Sequence, residues 1–189
     1  MKVTPHTRLG GLRLVIFATL VTLDASTPLV AQSPQCAIAY GAMTKIFEVP
    51  FHLYMVDSAG TDARLHGGKP TVSEEIFSGG VVYVRSRGKW VKSPVDIVEM
   101  RKDGANKLAD SKATCTHARD ESVNGEGASV WSVHSETEDG ASDSNVWVSK
   151  SRNVVLRSEV RIDVGGALGK SHMTMNYVYA NVHAPVGVK

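Results

Sequence analysis

The alternation of apolar and polar residues is clearest near the C-terminus. From Leu156 to Val164 every second residue is charged, and a period of two is typical of a strand with one buried and one solvated face. Glycines at 165, 166 and 169 interrupt the pattern and predict a turn. The return strand continues the alternation, so we predict a long hairpin with one charged and one apolar face. The predicted apolar side chains of the return strand are Met173, Met175, Tyr177 and Tyr179.

Similar short patterns recur through the rest of the chain. Strands are predicted at 51–56, 71–77, 81–84, 89–91, 114–121, 128–135 and 144–150, separated by glycine, asparagine and aspartate turns. A helix is predicted over Gln35–Phe47, where Cys36, Tyr40, Met43 and Phe47 form one stripe. Ser93 is predicted to cap a second helix. The sequence therefore predicts one α+β domain with an antiparallel sheet, curved or closed, and two helices.

The N-terminal segment has the composition of a secretory signal peptide. Residues 1–13 are basic, 14–23 are apolar or threonine, and small residues lead to Ala31. We predict a signal peptide over 1–31 and a single domain over 32–189, exported and soluble after cleavage. Loss of Lys2, Arg8, Arg13 and Asp24 from the 21 basic and 19 acidic residues leaves 18 of each. This balance gives no indication of nucleic-acid binding.

The chain has two cysteines, Cys36 and Cys115, both in the segment predicted to be exported. Two cysteines in an oxidising compartment usually pair, so we predict one disulfide that closes a long loop. The alternative for Cys36 is lipid modification. The polar residues Ser33, Pro34 and Gln35 before it do not form a lipidation sequence, which favours the disulfide.

No motif in the sequence indicates catalysis, a metal or a cofactor. The segment GGALGKS resembles a phosphate-binding loop, but Val164 occupies the position of the first required glycine. The seven histidines lack metal-ligand spacing, and no GxSxG serine-hydrolase motif is present. Cys115 and His117 share a strand face, but pairing of Cys115 in a disulfide is the stronger interpretation. We predict no cofactor, no metal and no nucleotide partner, and we interpret Glu74 and Glu75 as a solvated strand end.

Aromatic and methionine side chains are concentrated on the predicted strands. In a filled sheet they would form an ordinary core, and in a half-open curved sheet they would line a cavity for a flexible apolar ligand. Periodicity does not distinguish these two arrangements. The candidate ligand-binding residues are Trp90, Trp131, Trp147, Met173, Met175, Tyr177 and Tyr179.

Four stretches resemble the periplasmic lipoprotein-carrier and outer-membrane lipoprotein-sorting superfamily (LolA/LolB-like). They are AIAYGAMTKIFEVPFHLYM, VVYVRSRGKWVKSP, CTHARDESVNGEGASVWSVHSE and VWVSKSRNVVLRSEVRI, and the resemblance covers most of residues 36–185. It implies a curved, half-open antiparallel β-barrel with two or three helices over its concave face. It also implies a non-catalytic periplasmic protein that holds a lipid or lipoprotein acyl chain.

Two features depart from the true carriers: a short first helix and the cysteine pair. A related lipid-binding or sensory role is therefore as compatible with the sequence as lipoprotein transport. Two further alternatives remain: a structural or protein-interaction module with a filled core and an envelope protein partner, and a small hydrolase or isomerase with a polar pocket.

Overall fold

A computed structural model describes residues 35–58, 67–102, 112–137, 140–163 and 170–188. The predicted signal peptide over 1–31 and the glycine turn at 165–169 lie outside the described residues, so both stay predictions. The described residues form two helical segments and nine strands. Helix α1 spans Cys36–Lys45 and continues as a 3-10 turn over Ile46–Glu48, and a second helix, α2, covers residues 97–102. The strands are β1 Phe51–Asp57, β2 Thr71–Ser78, β3 Val81–Ser86, β4 Lys89–Lys92, β5 Lys112–Val123, β6 Glu126–Thr137, β7 Gly140–Ser149, β8 Val155–Asp163 and β9 Lys170–Val178.

All nine strands form a single antiparallel sheet in the order β4-β3-β2-β1-β9-β8-β7-β6-β5. Two meanders, β1–β4 and β5–β9, lie side by side and are joined where the first strand pairs with the last. The sheet ends at β4 and β5 and is not closed. This is the predicted α+β class, a half-open antiparallel barrel with helices.

The face of the sheet that α1 covers, here termed the inner face, carries the main core. Register places Leu53 of β1 beside Tyr177 of β9, and Met55 beside Met175. Phe51 stacks on Phe77 at 5.5 Å between ring centroids. The buried core members include Ala39, Tyr40, Phe51, Leu53, Phe77, Val82, Trp131, Val133, Val146, Val148, Val155 and Tyr177.

A disulfide joins α1 to the opposite edge of the sheet. Cys36 and Cys115 are bonded with a Cα–Cα separation of 5.0 Å, as predicted from the sequence. Both residues are buried in the main core, where Cys115 faces Val133 in register. The bond fixes the start of α1 above β5, so the helix crosses the inner face at a defined position.

The second helix begins later than the sequence predicted. Residues 93–96 precede the helix, and the side chain of Asp96, not that of Ser93, caps it by accepting hydrogen bonds from the backbone amides of Val98 at 2.7 Å and Glu99 at 3.4 Å. Ser93 instead accepts a hydrogen bond from the Val95 amide at 3.3 Å. An aspartate therefore supplies the cap three residues after the predicted position.

A β-bulge moves Leu156 of β8 off the face that strict alternation predicts. The β7–β8 register shifts after Trp147, so Val148 pairs with Val155 and Leu156 has no partner in β7. Leu156 therefore packs on the outer face, whereas Ser158 and Val160 remain on the inner face. Leu156 there belongs to a group of buried outer-face residues, here termed the tryptophan cluster, which consists of Ala128, Val130, Trp147, Val154 and Leu156.

Candidate ligand cavity

An apolar cavity of about 490 Å³ lies between the two helices and the inner face of the sheet. Ligand pockets in proteins typically have volumes of about 300–1,000 Å³ and are lined mainly by hydrophobic side chains. Its described lining residues are Met43, Thr44, Ile46, Phe47, Met100, Arg101, Val155, Ser158, Val160, Met175 and Tyr177.

The helices supply one wall because their apolar residues point towards the sheet. Met43 and Phe47 are one turn apart in the α1 segment and belong to the stripe predicted from the sequence. Met100 of α2 contributes from the other side. Three methionines, including Met175 of β9, line the cavity, and their unbranched side chains can adapt to a flexible ligand.

An ion pair joins α2 to the 3-10 turn beside the cavity. Arg101 of α2 lies 3.6 Å from a carboxylate oxygen of Glu48, at the end of the 3-10 turn. Both side chains are about half exposed, so the pair contributes about 0–1 kcal/mol and gives way easily. Arg101 also lines the cavity, which places a positive charge at its edge.

Burial perturbs the phenol of Tyr177. Its side chain is 9% exposed, and its hydroxyl lies 3.8 Å from the sulfur of Met175. Burial, with a smaller contribution from the negative charge of Glu75, raises the pKa of Tyr177 to about 12. Tyr177 is therefore neutral at physiological pH and presents an apolar ring to the cavity.

The two adjacent glutamates of β2 lie on opposite faces. Glu74 pairs on the outer face with Arg85 at 2.7 Å, whereas Glu75 lies on the inner face between Leu53 and Val84 in register. Burial raises the pKa of Glu75 above its ordinary value. The interpretation of both residues as a solvated strand end is therefore wrong for Glu75.

Of the seven residues predicted to line a cavity, Met175 and Tyr177 lie in this wall. Met173 is on the same face but lines a separate depression of about 1020 Å³, whose lining also includes Lys69, Arg85 and Arg87. Tyr179 follows the end of β9, and its hydroxyl donates a hydrogen bond to the carbonyl oxygen of Val155 at 2.5 Å.

The three tryptophans lie in three different places. Trp131 is in the main core, in an edge-to-face contact with His117 at 5.5 Å between ring centroids. Trp147 belongs to the tryptophan cluster, and its indole nitrogen donates to Glu121. Trp90, in edge strand β4, contacts the ring of His52 at 5.8 Å between centroids. The described cavity lining includes none of the three.

Sequence reasoning missed most of the cavity wall because the wall combines four separate elements: the α1 segment, α2, β8 and β9. Ile46, Met100 and Val160 are apolar residues on predicted elements, but no local pattern distinguishes a side chain facing a cavity from one in a filled core. The helix stripe through Met43 and Phe47 is the strongest local signal, but such a stripe is also typical of ordinary core packing.

The described residues contain no group of three or more histidine, cysteine, aspartate or glutamate side chains able to hold a metal ion. His134 shares one hydrogen bond with Asp143 at 2.7 Å on the outer face, and this carboxylate, with Glu136, raises the pKa of His134. Within the same described residues, no helix is long and apolar enough to cross a membrane.

The sequence matches no protein-family model and no curated protein. Several solved structures are similar to this chain. Lipoprotein LppX from Mycobacterium tuberculosis has 13% sequence identity and a TM-score of 0.47, with 83% of this chain and 100% of that chain covered. LprF from Mycobacterium bovis has 12% identity and a TM-score of 0.43, with 83% and 97% covered.

A putative outer membrane lipoprotein-sorting protein domain from Vibrio parahaemolyticus is also among the similar structures. It has 8% identity and a TM-score of 0.26, with 80% of this chain and 93% of that chain covered. All three identities are below 25%, and all three TM-scores are below 0.5.

Proposed function

We propose that this protein is an exported, non-catalytic binding protein that holds an acyl chain in the apolar cavity of its half-open barrel. The cavity of about 490 Å³ between the helices and the inner face is the observation that carries the proposal. A volume in this range suits one flexible chain, and three methionines supply an adaptable lining.

The composition of the lining favours binding over chemistry. Among the described lining residues, polar side chains come only from Thr44, Ser158 and Arg101, apart from the phenol of Tyr177. None of the lining residues that the structure describes is a carboxylate, histidine or thiol, which are the groups that usually act as general acids, bases or strong nucleophiles. We propose that Met175 and Tyr177, identified from the sequence, contact the bound chain.

The helices provide a route for the ligand. Because the Arg101–Glu48 ion pair is exposed and weak, it adds little to the free-energy cost of separating α2 from the 3-10 turn. The predicted signal peptide supports a periplasmic location, where acyl chains must cross an aqueous space between membranes. The proposed ligand is therefore the acyl chain of a lipid or lipoprotein.

Native mass spectrometry after detergent-free purification, followed by titration with a fluorescent fatty acid, tests this proposal. We expect either a co-purified lipid or saturable uptake of the probe. Met175→Asp should abolish uptake because it places a charge in the apolar wall. Met173→Asp is the matched control, since it changes the same strand and face but lines the separate depression.

A protein that carries no lipid and takes up no probe would contradict the proposal. It would favour the second candidate, an interaction module for an envelope protein. That candidate is supported by three exposed apolar residues on the outer face. They are Tyr54, Val72 and Val178, with exposures of 39%, 68% and 37%.

A further inference from the structure

Resting on the acyl-chain function above, we propose that the cavity selects chains that carry an acyl carbonyl oxygen, and that Ser158 is the residue that recognises this oxygen. Ser158 lies in the middle of β8 and lines the cavity. Its side chain is 3% exposed, and none of the described residues supplies a hydrogen-bond partner for its hydroxyl.

The neighbours of Ser158 explain why its hydroxyl has no partner among the described residues. In register it faces Met175 of β9 on one side and Val146 of β7 on the other. Val155 and Val160 line the cavity from the same strand. These four side chains offer no oxygen or nitrogen, so the hydroxyl is surrounded by apolar groups, and the weakly accepting sulfur of Met175 is the one heteroatom among them. Burying such a group without a hydrogen bond costs free energy.

Two comparable hydroxyls, one in the cavity lining and one deeply buried, are satisfied. Thr44, in the same cavity lining, donates towards the carbonyl oxygens of Tyr40 at 3.1 Å and Gly41 at 3.0 Å. Ser149 is 2% exposed, bonds to Glu126 and accepts from the amide of Arg152 at 2.9 Å. Ser158 therefore differs from both in having its donor available to a molecule in the cavity.

The chemistry of the hydroxyl defines what it recognises. A serine donates one hydrogen bond and accepts others, so a carbonyl or carboxylate oxygen is a suitable partner. A plain hydrocarbon chain would leave the hydroxyl unpaired. The matching oxygen could belong to the carboxylate of a free fatty acid or to the ester carbonyl of an acylated molecule, and both are acyl oxygens.

Displacement of the fluorescent probe phenylnaphthylamine by laurate, methyl laurate and dodecane tests the inference. These competitors share one chain length and differ in the acyl oxygen. We expect the wild-type protein to prefer at least one oxygen-bearing competitor over dodecane. Ser158→Ala should weaken the binding of that competitor by about twofold to tenfold, which is the effect of losing one neutral hydrogen bond. Dodecane should bind the variant equally well or better.

The competitor that responds identifies the source of the oxygen. If Ser158→Ala weakens the binding of laurate alone, the recognised oxygen belongs to a free carboxylate. If it weakens the binding of methyl laurate, the oxygen belongs to an ester. Ser158→Thr keeps the hydroxyl and should keep the preference. Ser132→Ala is the matched control, because Ser132 lies on the outer face and donates to Asn145 at 2.9 Å.

Two results would overturn the inference while leaving the proposed function intact. One is a wild-type protein that binds dodecane as tightly as both oxygen-bearing competitors. The other is a Ser158→Ala substitution that weakens the binding of all three competitors equally, or of none of them. A wild-type protein that does not bind phenylnaphthylamine or any competitor would overturn the proposed function as well. Thermal unfolding without ligand should show Ser158→Ala at least as stable as the wild type, since it removes an unpaired buried hydroxyl.

Discussion

The two faces of the β7–β8 hairpin differ in whether their buried polar groups have partners. On the outer face, the tryptophan cluster is closed by partners: Trp147 donates to Glu121, and the Arg157 guanidinium lies 5.1 Å from the indole ring centroid. On the inner face, Ser158 and Val160 line a cavity, and the Ser158 hydroxyl has no partner among the described residues.

This difference indicates that the two faces of the sheet have different roles, one in stability and one in binding. A cluster in which aromatic and charged groups are mutually satisfied is rigid and contributes to stability. A face with unfilled volume makes fewer dispersion contacts and is less stable. We interpret this unfilled volume as space that a ligand occupies. The outer cluster is therefore expected to govern folding, and the inner wall to govern ligand binding.

Trp147→Ala should produce the largest loss of stability. The side chain is 4% exposed, and its removal takes away buried aromatic surface and leaves Glu121 and Arg157 without their common partner. We expect a loss of about 3–5 kcal/mol in the free energy of unfolding, measured by urea denaturation. Trp90→Ala, in edge strand β4, should cost much less. A loss of about 0.5 kcal/mol for Trp147→Ala, typical of surface positions, would contradict the role of the cluster.

Two valine-to-phenylalanine substitutions should distinguish the cavity from the filled core. Val146 is fully buried, and enlarging it should cost about 1–3 kcal/mol through overpacking. Val160 lines the cavity, so phenylalanine there has room and should cost less while abolishing uptake of a fatty-acid probe. Melting temperature and probe binding are measured on both variants. An equal loss of stability at both positions would show that the space is not available.

The acid dependence of stability should have opposite signs for two glutamates. Hydrogen bonding to Arg152 lowers the pKa of Glu126 from 4.5 to about 2. Because the pKa of Glu126 is lower in the folded state, the ionised carboxylate stabilises the fold above pH 4.5, and this stabilisation is lost as the pH falls towards about 2. Glu126→Gln should therefore flatten the fall in melting temperature across that window.

Glu75 on the inner face should behave in the reverse manner. Burial raises its pKa above 4.5, so the fold favours the protonated acid, and stability declines as the pH rises through the raised value. Glu75→Gln should remove this decline and raise the melting temperature at neutral pH. A lower melting temperature at neutral pH would mean that the ionised carboxylate stabilises the fold.

Arg161→Ala should have the smallest effect. Arg161 is exposed on the outer face and pairs in register with Asp143 and His172. Exposed cross-strand charges contribute about 0.2–1 kcal/mol, so stability should change within that range. Uptake of the fatty-acid probe should stay at the wild-type level. Loss of uptake would mean that the ligand reaches the outer face.

Period-two alternation predicted the strands and, away from the bulge in β8, which side chains share a face. It placed Met173, Met175 and Tyr177 together on β9, and the register pairs Met175 with Met55 and Tyr177 with Leu53 on the inner face. The helix over Cys36–Lys45 and the disulfide were also predictable, because a helical stripe and a cysteine pair are local or compositional signals.

Features that depend on non-local packing were not predictable. The bulge after Trp147 moves Leu156 to the outer face, although strict alternation groups it with Ser158. The three tryptophans looked equivalent in sequence but lie in three different environments. Whether Val160 meets a cavity or a core depends on the distance between helices and sheet, and no residue pattern encodes that distance.

The strand order also makes β9 necessary for one continuous sheet. Strand β1 pairs with β9 in the middle of the sheet, although more than half of the chain separates them. Until β9 is in place, β1 and β8 each expose a row of unpaired backbone groups, and such edges promote aggregation. A chain truncated before Lys170 would keep both edges open permanently. Pairing of β9 with both neighbours thus removes two edges at once, and a chain without β9 is expected to aggregate.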